Sequence, residues 1–307
     1  MRSNFFKLSG AGKTTILSLF AVTFITGALW GQSNRIRFAS SGSVDWEQKE
    51  LSIQVSFDLA EAGIKLPAGR FMGEEILNES FPRLLRSCLL STKLDSSSTI
   101  QSLVNSGSIT LESLDRICAE AKKTTSLSAD LSRMTGRYTI SLGKVTSPLL
   151  RQARPNEALR PLVPVQTADY TGIIIVISDE LPVRGRQSQA LAEPCLFPKI
   201  WDTEMNLVYE PNMFEGRDKP MVAYTAPENI FHATPSGLKG ELLELAGANP
   251  LRIIAREVFG VSPTDPVIDR EDALKILSSE NNRRLLREGR VVLVLNNAKL
   301  KGSISAP

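Results

Sequence analysis

Apolar and polar residues alternate with period two at Leu51, Ile53, Val55 and Phe57, with Ser52, Gln54 and Ser56 between them. That spacing predicts a strand with one face in a core and one in water. Residues 35–39 predict its partner, residues 40–43 the turn between the two, and Trp46 a cover over one sheet end. Phe71, Met72, Ile76, Leu77, Leu84, Leu85, Cys88 and Leu89 recur at helical spacing, and Pro82 is expected to start a second helical piece or kink the first. A short helix follows over 99–104 with Gly107 as its stop. Thr110 then caps a helix over 110–123 on the stripe Leu111, Leu114, Ile117, Cys118 and Ala121. Tyr138, Ile140 and Leu142 predict a strand beside 51–57.

Four prolines and three arginines between residues 147 and 165, with little apolar periodicity, predict a stiff linker. Beyond it, the consecutive Ile173, Ile174, Ile175, Val176 and Ile177 predict a strand buried on both faces. Two short apolar runs in 198–209 predict a hairpin. Residues 249–259 read as one strand beginning at Pro250. Asp269 starts a helix through Ala273, Ile276, Leu277 and Leu285 that stops at Gly289, and 291–295 is a last buried strand. The pattern as a whole is α+β: two small mixed-sheet domains with helices packed on one face, joined by a Pro-rich linker. The expected boundaries are a signal peptide at 1–31, domains at 32–147 and 166–297 around a linker at 148–165, and a disordered tail at 298–307.

Arg2, Lys7 and Lys13, with no acidic residue, precede an apolar run over 16–30. The run is shorter than the roughly 20 residues that span a bilayer, so a secretory signal is expected, and with it a periplasmic or outer-membrane-peripheral location. The net charge of +3 resides in those three residues, leaving 33 basic against 33 acidic residues. Such a balance gives no electrostatic case for nucleic acid. Three cysteines (Cys88, Cys118 and Cys195) are too few for a disulfide scaffold in a chain of 307 residues. Cys88 and Cys118 lie in apolar helical patterns and read as buried thiols.

No catalytic, cofactor-binding or metal-binding residue is expected. The segment 9–15 has the Gly-Lys-Thr of a phosphate-binding loop but lacks its first glycine and a preceding strand. His232 is the one histidine, so a multi-histidine metal site is excluded, and no Gly-x-Ser-x-Gly elbow accompanies it. The pairs Glu74-Glu75 and Asp179-Glu180 are adjacent in sequence and point apart. Arg283, Arg284, Arg287 and Arg290 are candidates for contact with an anionic partner, because guanidinium forks suit phosphate oxygens. Arg184 and Arg186, in the loop after the central strand, are candidates for subunit contact.

Tyr170-Thr171-Gly172, Pro198-Lys199-Ile200-Trp201-Asp202 leading to Val208-Tyr209, Asn249-Pro250-Leu251, Asp269, Asp272-Ala273 and Gly289-Arg290-Val291-Val292 carry a resemblance. Over about 165–296 the chain resembles the twenty-kilodalton outer-membrane lipoprotein family of diderm bacteria, which includes the FlgP-like flagellar basal-disk proteins. The resemblance implies a non-enzymatic envelope protein that assembles with itself and with other envelope or flagellar proteins into a ring or disk. The chain departs from that pattern in lacking the acylated cysteine, which leaves membrane contact open, in carrying an N-terminal domain, and in the loop 181–196. An alternative expectation is a periplasmic binding module for a cell-wall or lipid ligand, with Arg283 to Arg290 as its contact surface.

Overall fold

Strands β1 (Ala39–Asp45) and β2 (Glu50–Asp58) form an antiparallel hairpin in which Ser43 faces Ser52 and Val44 faces Leu51. The structure is a computed structural model and describes residues 36–150, 156–231 and 237–304; the predicted signal lies outside these. Residues 40–43, expected as a turn, belong to β1. Gly42 is what lets a helix lie close: a Cβ added there would stand 2.5 Å from Cys88 Sγ.

That helix is α1 (Arg70–Ser91), which runs unbroken through Pro82 and buries Leu77, Phe81, Leu85, Cys88 and Leu89 on both sides of the proline. Packing of this stripe outweighs the bond that proline cannot donate. Helices α2 (Ile100–Asn105) and α3 (Leu111–Ala119) follow, with Thr99 and Thr110 at their N-caps and Thr110 Oγ1 accepting from Ser113 N–H at 3.2 Å. Helix α3 stops short of residue 123 because Lys122 opens strand β3 (Lys122–Leu127), the outer neighbour of β4 (Arg133–Ser141), which pairs with β2 along its full length. The inner face of this sheet packs on α1, with Phe81 stacked on Tyr138 at 4.1 Å. A short helix, α4 (Leu142–Thr146), ends this part.

The second part is built on β5 (Ile173–Val176). The small hairpin β6 (Leu181–Pro182) and β7 (Gln189–Ala190) precedes β8 (Ile200–Asp202), β9 (Leu207–Tyr209), β10 (Ala223–Thr225) and helix α5 (Gly240–Ala246). The single strand expected over 249–259 is two, β11 (Leu251–Ile254) and β12 (Glu257–Phe259), which join different sheets. After β13 (Asp265–Ile268), the helix expected from Asp269 is also two, α6 (Arg270–Ser278) and α7 (Glu280–Arg287). Ser279 ends the first and caps the second, accepting from Asn282 N–H. Strand β14 (Val291–Val294) follows, then α8 (Asn297–Leu300) and β15 (Lys301–Ile304).

Strands β10, β14, β5 and β11 form a wholly parallel sheet with β5 inside it, and β12, β13, β8 and β9 a mixed one. Ile173 and Ile175 face the main core, while Ile174, Val292 and Val294 face a second cluster that includes Leu238 and Ala246. Both faces are therefore buried, as the run of β-branched residues requires. The fold is α+β.

Of the tail expected to be disordered, residues 301–304 are the fifth strand of the first sheet, whose order is β15-β1-β2-β4-β3, and residues 305–307 lie outside the described residues. Ser303 faces Ser43, and Ile304 faces Gly42. The chain thus returns from its second part to close the first, and the described residues of the two parts pack into one compact unit with a shared core. Residues 156–165 run along the second part, where Val165 N–H donates to Ser278 Oγ at 3.0 Å.

Glu193 fastens the crossing, pairing with Lys93 from the first part and with Lys299 of α8, the latter at 3.1 Å. Burial pushes its carboxyl pKa up, but hydrogen bonds from both ammonium groups outweigh that and hold it below the ordinary value of 4.5. A depressed carboxyl contributes stability above its unfolded pKa and loses it as pH falls through the folded one. The stability gap between the native protein and Glu193→Gln should therefore be widest near neutrality and shrink below about pH 4.5. Denaturant midpoints across pH check this; a gap that is constant with pH would contradict it.

Candidate functional site

In open parallel sheets ligands bind outside the carboxyl ends of the strands. Here β10, β14 and β5 end at Thr225, Val294 and Val176, and the β1–β2 turn occupies part of that edge. Trp46 is buried edge-on against Tyr224, ring centroids 5.6 Å apart. The Trp46 backbone N–H donates to the Leu300 carbonyl at 3.0 Å. Tyr224 Oη in turn donates to the Cys195 carbonyl at 2.8 Å and accepts from Cys195 N–H at 3.1 Å. Burial raises the pKa of Tyr224 well above its ordinary value of 10, so it acts as a neutral hydrogen-bonding group.

Glu47 is the polar half of the contact. Its Oε1 accepts from Asn229 Nδ2 at 2.6 Å, Thr225 Oγ1 at 3.2 Å and Ala226 N–H at 3.5 Å. Beside it lies a cavity of about 420 Å³ lined by Glu47, Lys49, Tyr224, Thr225, Asn229 and Lys239 among others. The volume is in the range of small-ligand sites. Lys49 holds φ at +58° on its rim, and its ammonium stands 3.8 Å from Glu241. The walls offer polar contacts of both signs.

The cysteines are sealed. Burial pushes the Cys88 thiol up to about 11 and Cys118 to about 12, and raises Cys195 further, far from the depressed values of reactive thiols. Among the described residues no group of three or more His, Cys, Asp or Glu could hold a metal ion. His232 lies outside the described residues, as do Arg151 and Arg154. No helix of the described residues is long and apolar enough to cross a membrane.

The predicted arginines fall into different settings. Arg283 is 5% exposed and is spent inside the fold, donating to the Leu277 carbonyl and Glu280. Arg287 pairs with Glu280 at 3.3 Å and Glu215 at 3.8 Å, and Arg284 with Glu288 at 3.6 Å. Arg290 is half-buried, with its Nε enclosed. Arg283 is therefore turned inward and used locally, while Arg284 stands exposed. Arg184 ties its loop to Glu257 at 3.0 Å and the Thr203 carbonyl at 2.9 Å, while Arg186 stands exposed. The motif residues Thr171 and Asn249 do meet. Thr171 Oγ1 donates to the Ala246 carbonyl at 2.7 Å and accepts from Asn249 N–H at 3.0 Å.

Residues 37–148 match the family model described as the N-terminal domain of Treponema pallidum Tp0624. Residues 172–297 match the one described as its second domain. The chain is similar to Tp0624 over both stretches. No curated protein matches it. The Tp0624-like stretches fall on either side of residues 149–171, and the contact between Glu47 and Asn229 joins one to the other. Neither description carries an activity, and neither bears on the lipoprotein resemblance.

Sequence reading missed Glu47, whose partners lie 178 to 182 positions away. Glu47→Ala strands three donors and should lower stability by about 1–2 kcal/mol, while Gln48→Ala, exposed on the same turn, should change nothing. Thermal unfolding of the two variants measures the difference, and equal melting temperatures would show that the contact carries no weight.

Proposed function

We propose that the protein is a non-catalytic component of the bacterial envelope, exported through its basic and apolar N-terminal segment, that works by contacts with copies of itself and with other envelope proteins. The observation that carries this reading is an apolar stretch left in water. Leu162 is fully exposed, and Val163 and Leu159 are 79% and 71% exposed, all within the segment between the two Tp0624-like stretches. Contiguous exposed aliphatic surface marks contact sites for other macromolecules. Sealed thiols and a cleft edge consumed by internal hydrogen bonds support the non-catalytic part. The likeness of residues 165–296 to flagellar basal-disk proteins supports a ring or disk around a flagellar motor as the form of the assembly.

Light scattering on the purified protein over a concentration series tests this. The native protein should show a mass that grows beyond the monomer, and the double variant L162S/V163S should stay monomeric with an unchanged melting temperature. A native protein that remains monomeric throughout would overturn the reading.

A further inference from the structure

The five-stranded sheet has one face under α1 and one that no described helix covers. Its register sorts the residues on the open face. One row across the strands reads Ser43, Ser52, Thr139 and Lys122, and the next reads Ser41, Gln54, Arg137 and Thr124. A third reads Ala39, Ser56, Thr135 and Ser126, and beyond it Arg133 stands opposite Asp58. Every one of these side chains is exposed or half-exposed, and none is aromatic.

Three cations on this face, Lys122, Arg133 and Arg137, make no ion pair among the described residues. The carboxylates that could quench them are engaged or distant. Asp58, directly across from Arg133, turns to accept from Ala60 N–H at 2.8 Å and Glu61 N–H at 3.0 Å. Asp45 pairs with Lys301 at 3.4 Å. Glu50 lies opposite Ser141, four residues along β4 from Arg137 and so roughly 13 Å away. A protein whose charge outside the first 31 residues is balanced thus carries an unbalanced positive stripe along β4 and β3, with hydroxyl groups set between the cations.

The geometry points to this face as a docking surface for an extended, acidic polysaccharide. The cations require an anionic occupant. Arginine forks match carboxylate and phosphate oxygens with paired hydrogen bonds. Serine and threonine hydroxyls both donate and accept, which complements sugar hydroxyls that do the same. Five strands at about 4.8 Å spacing give a broad platform with room for a polymer rather than a pocket for a single small molecule. With no aromatic side chain on the face, base stacking of the kind that single-stranded nucleic acid uses has no platform. The inference stands apart from self-association, because Leu159, Leu162 and Val163 lie outside this sheet.

Calorimetric titration of the purified protein with oligogalacturonate, an acidic sugar polymer, tests it beside neutral dextran and poly-L-glutamate as probes. Oligogalacturonate should bind, weaken as salt is raised, and lose at least about tenfold in affinity in the triple variant K122A/R133A/R137A, since about 1.4 kcal/mol is tenfold and each charge-assisted bond is worth that much. Because all three side chains are exposed, the melting temperature should hold. Dextran should bind more weakly. Absence of oligogalacturonate binding, an unaffected triple variant, or poly-L-glutamate binding as tightly as the sugar would each overturn the proposal, the last in favour of an acidic peptide.

Discussion

The structure depends on one contact, the β1–β2 turn seated on the carboxyl edge of the parallel sheet. Trp46 supplies its apolar part by covering Tyr224, and Glu47 supplies the polar part by collecting the side chains of Thr225 and Asn229. Neither half suffices alone. Burying Tyr224 without partners would strand its hydroxyl, which the Cys195 backbone satisfies, and seating a carboxylate there without donors would leave its charge uncompensated. Once the turn is seated, β1 lies where β15 can reach it, and the Trp46 N–H to Leu300 bond sets the point at which the returning chain enters the first sheet. The edge where parallel sheets usually bind ligands is thereby partly occupied by the protein itself.

Two other buried polar side chains, Asp202 and Asn282, are well supplied with partners and use them to fix the chain. Asp202, 4% exposed, accepts from Glu204 N–H, Asn206 N–H and Asn206 Nδ2, all within 3.0 Å, and so shapes the β8–β9 hairpin. Asn282, fully buried, accepts from Tyr170 N–H and donates to the Ala168 and Lys275 carbonyls, which fixes α7 against the chain entering β5. Gly172 is required by proximity, since a Cβ there would meet the Ala246 backbone at 2.5 Å. Thr171, Gly172, Asp202 and Asn249 are therefore structural: they specify turns and close approaches.

The elements legible in the sequence were those whose signal is local. Ile173 to Val176, the alternation at 51–57 and the Thr110 cap each announce themselves through propensity and period. Strand β3 did not, because Lys-Lys-Thr-Thr-Ser-Leu lies at a sheet edge and has little apolar pattern to show. Strand β15 is four residues long, and its partner β1 lies more than 250 positions earlier. The break between α6 and α7 turns on Ser279, whose hydroxyl also donates to Asp169 at 2.7 Å, a contact no window around the helix contains. The open sheet face was half legible: the alternation placed Ser52, Gln54 and Ser56 in water, but only the register brings Arg137 and Lys122 beside them.

The seated turn and the returning strand couple the two Tp0624-like stretches through one core. Scanning calorimetry of the purified protein tests this coupling. A single transition whose calorimetric and van't Hoff enthalpies agree is the predicted result, since a shared core unfolds as one unit. Two resolved transitions would contradict the account and would mean that the contacts of Trp46, Glu47 and β15 do not couple the stretches they join.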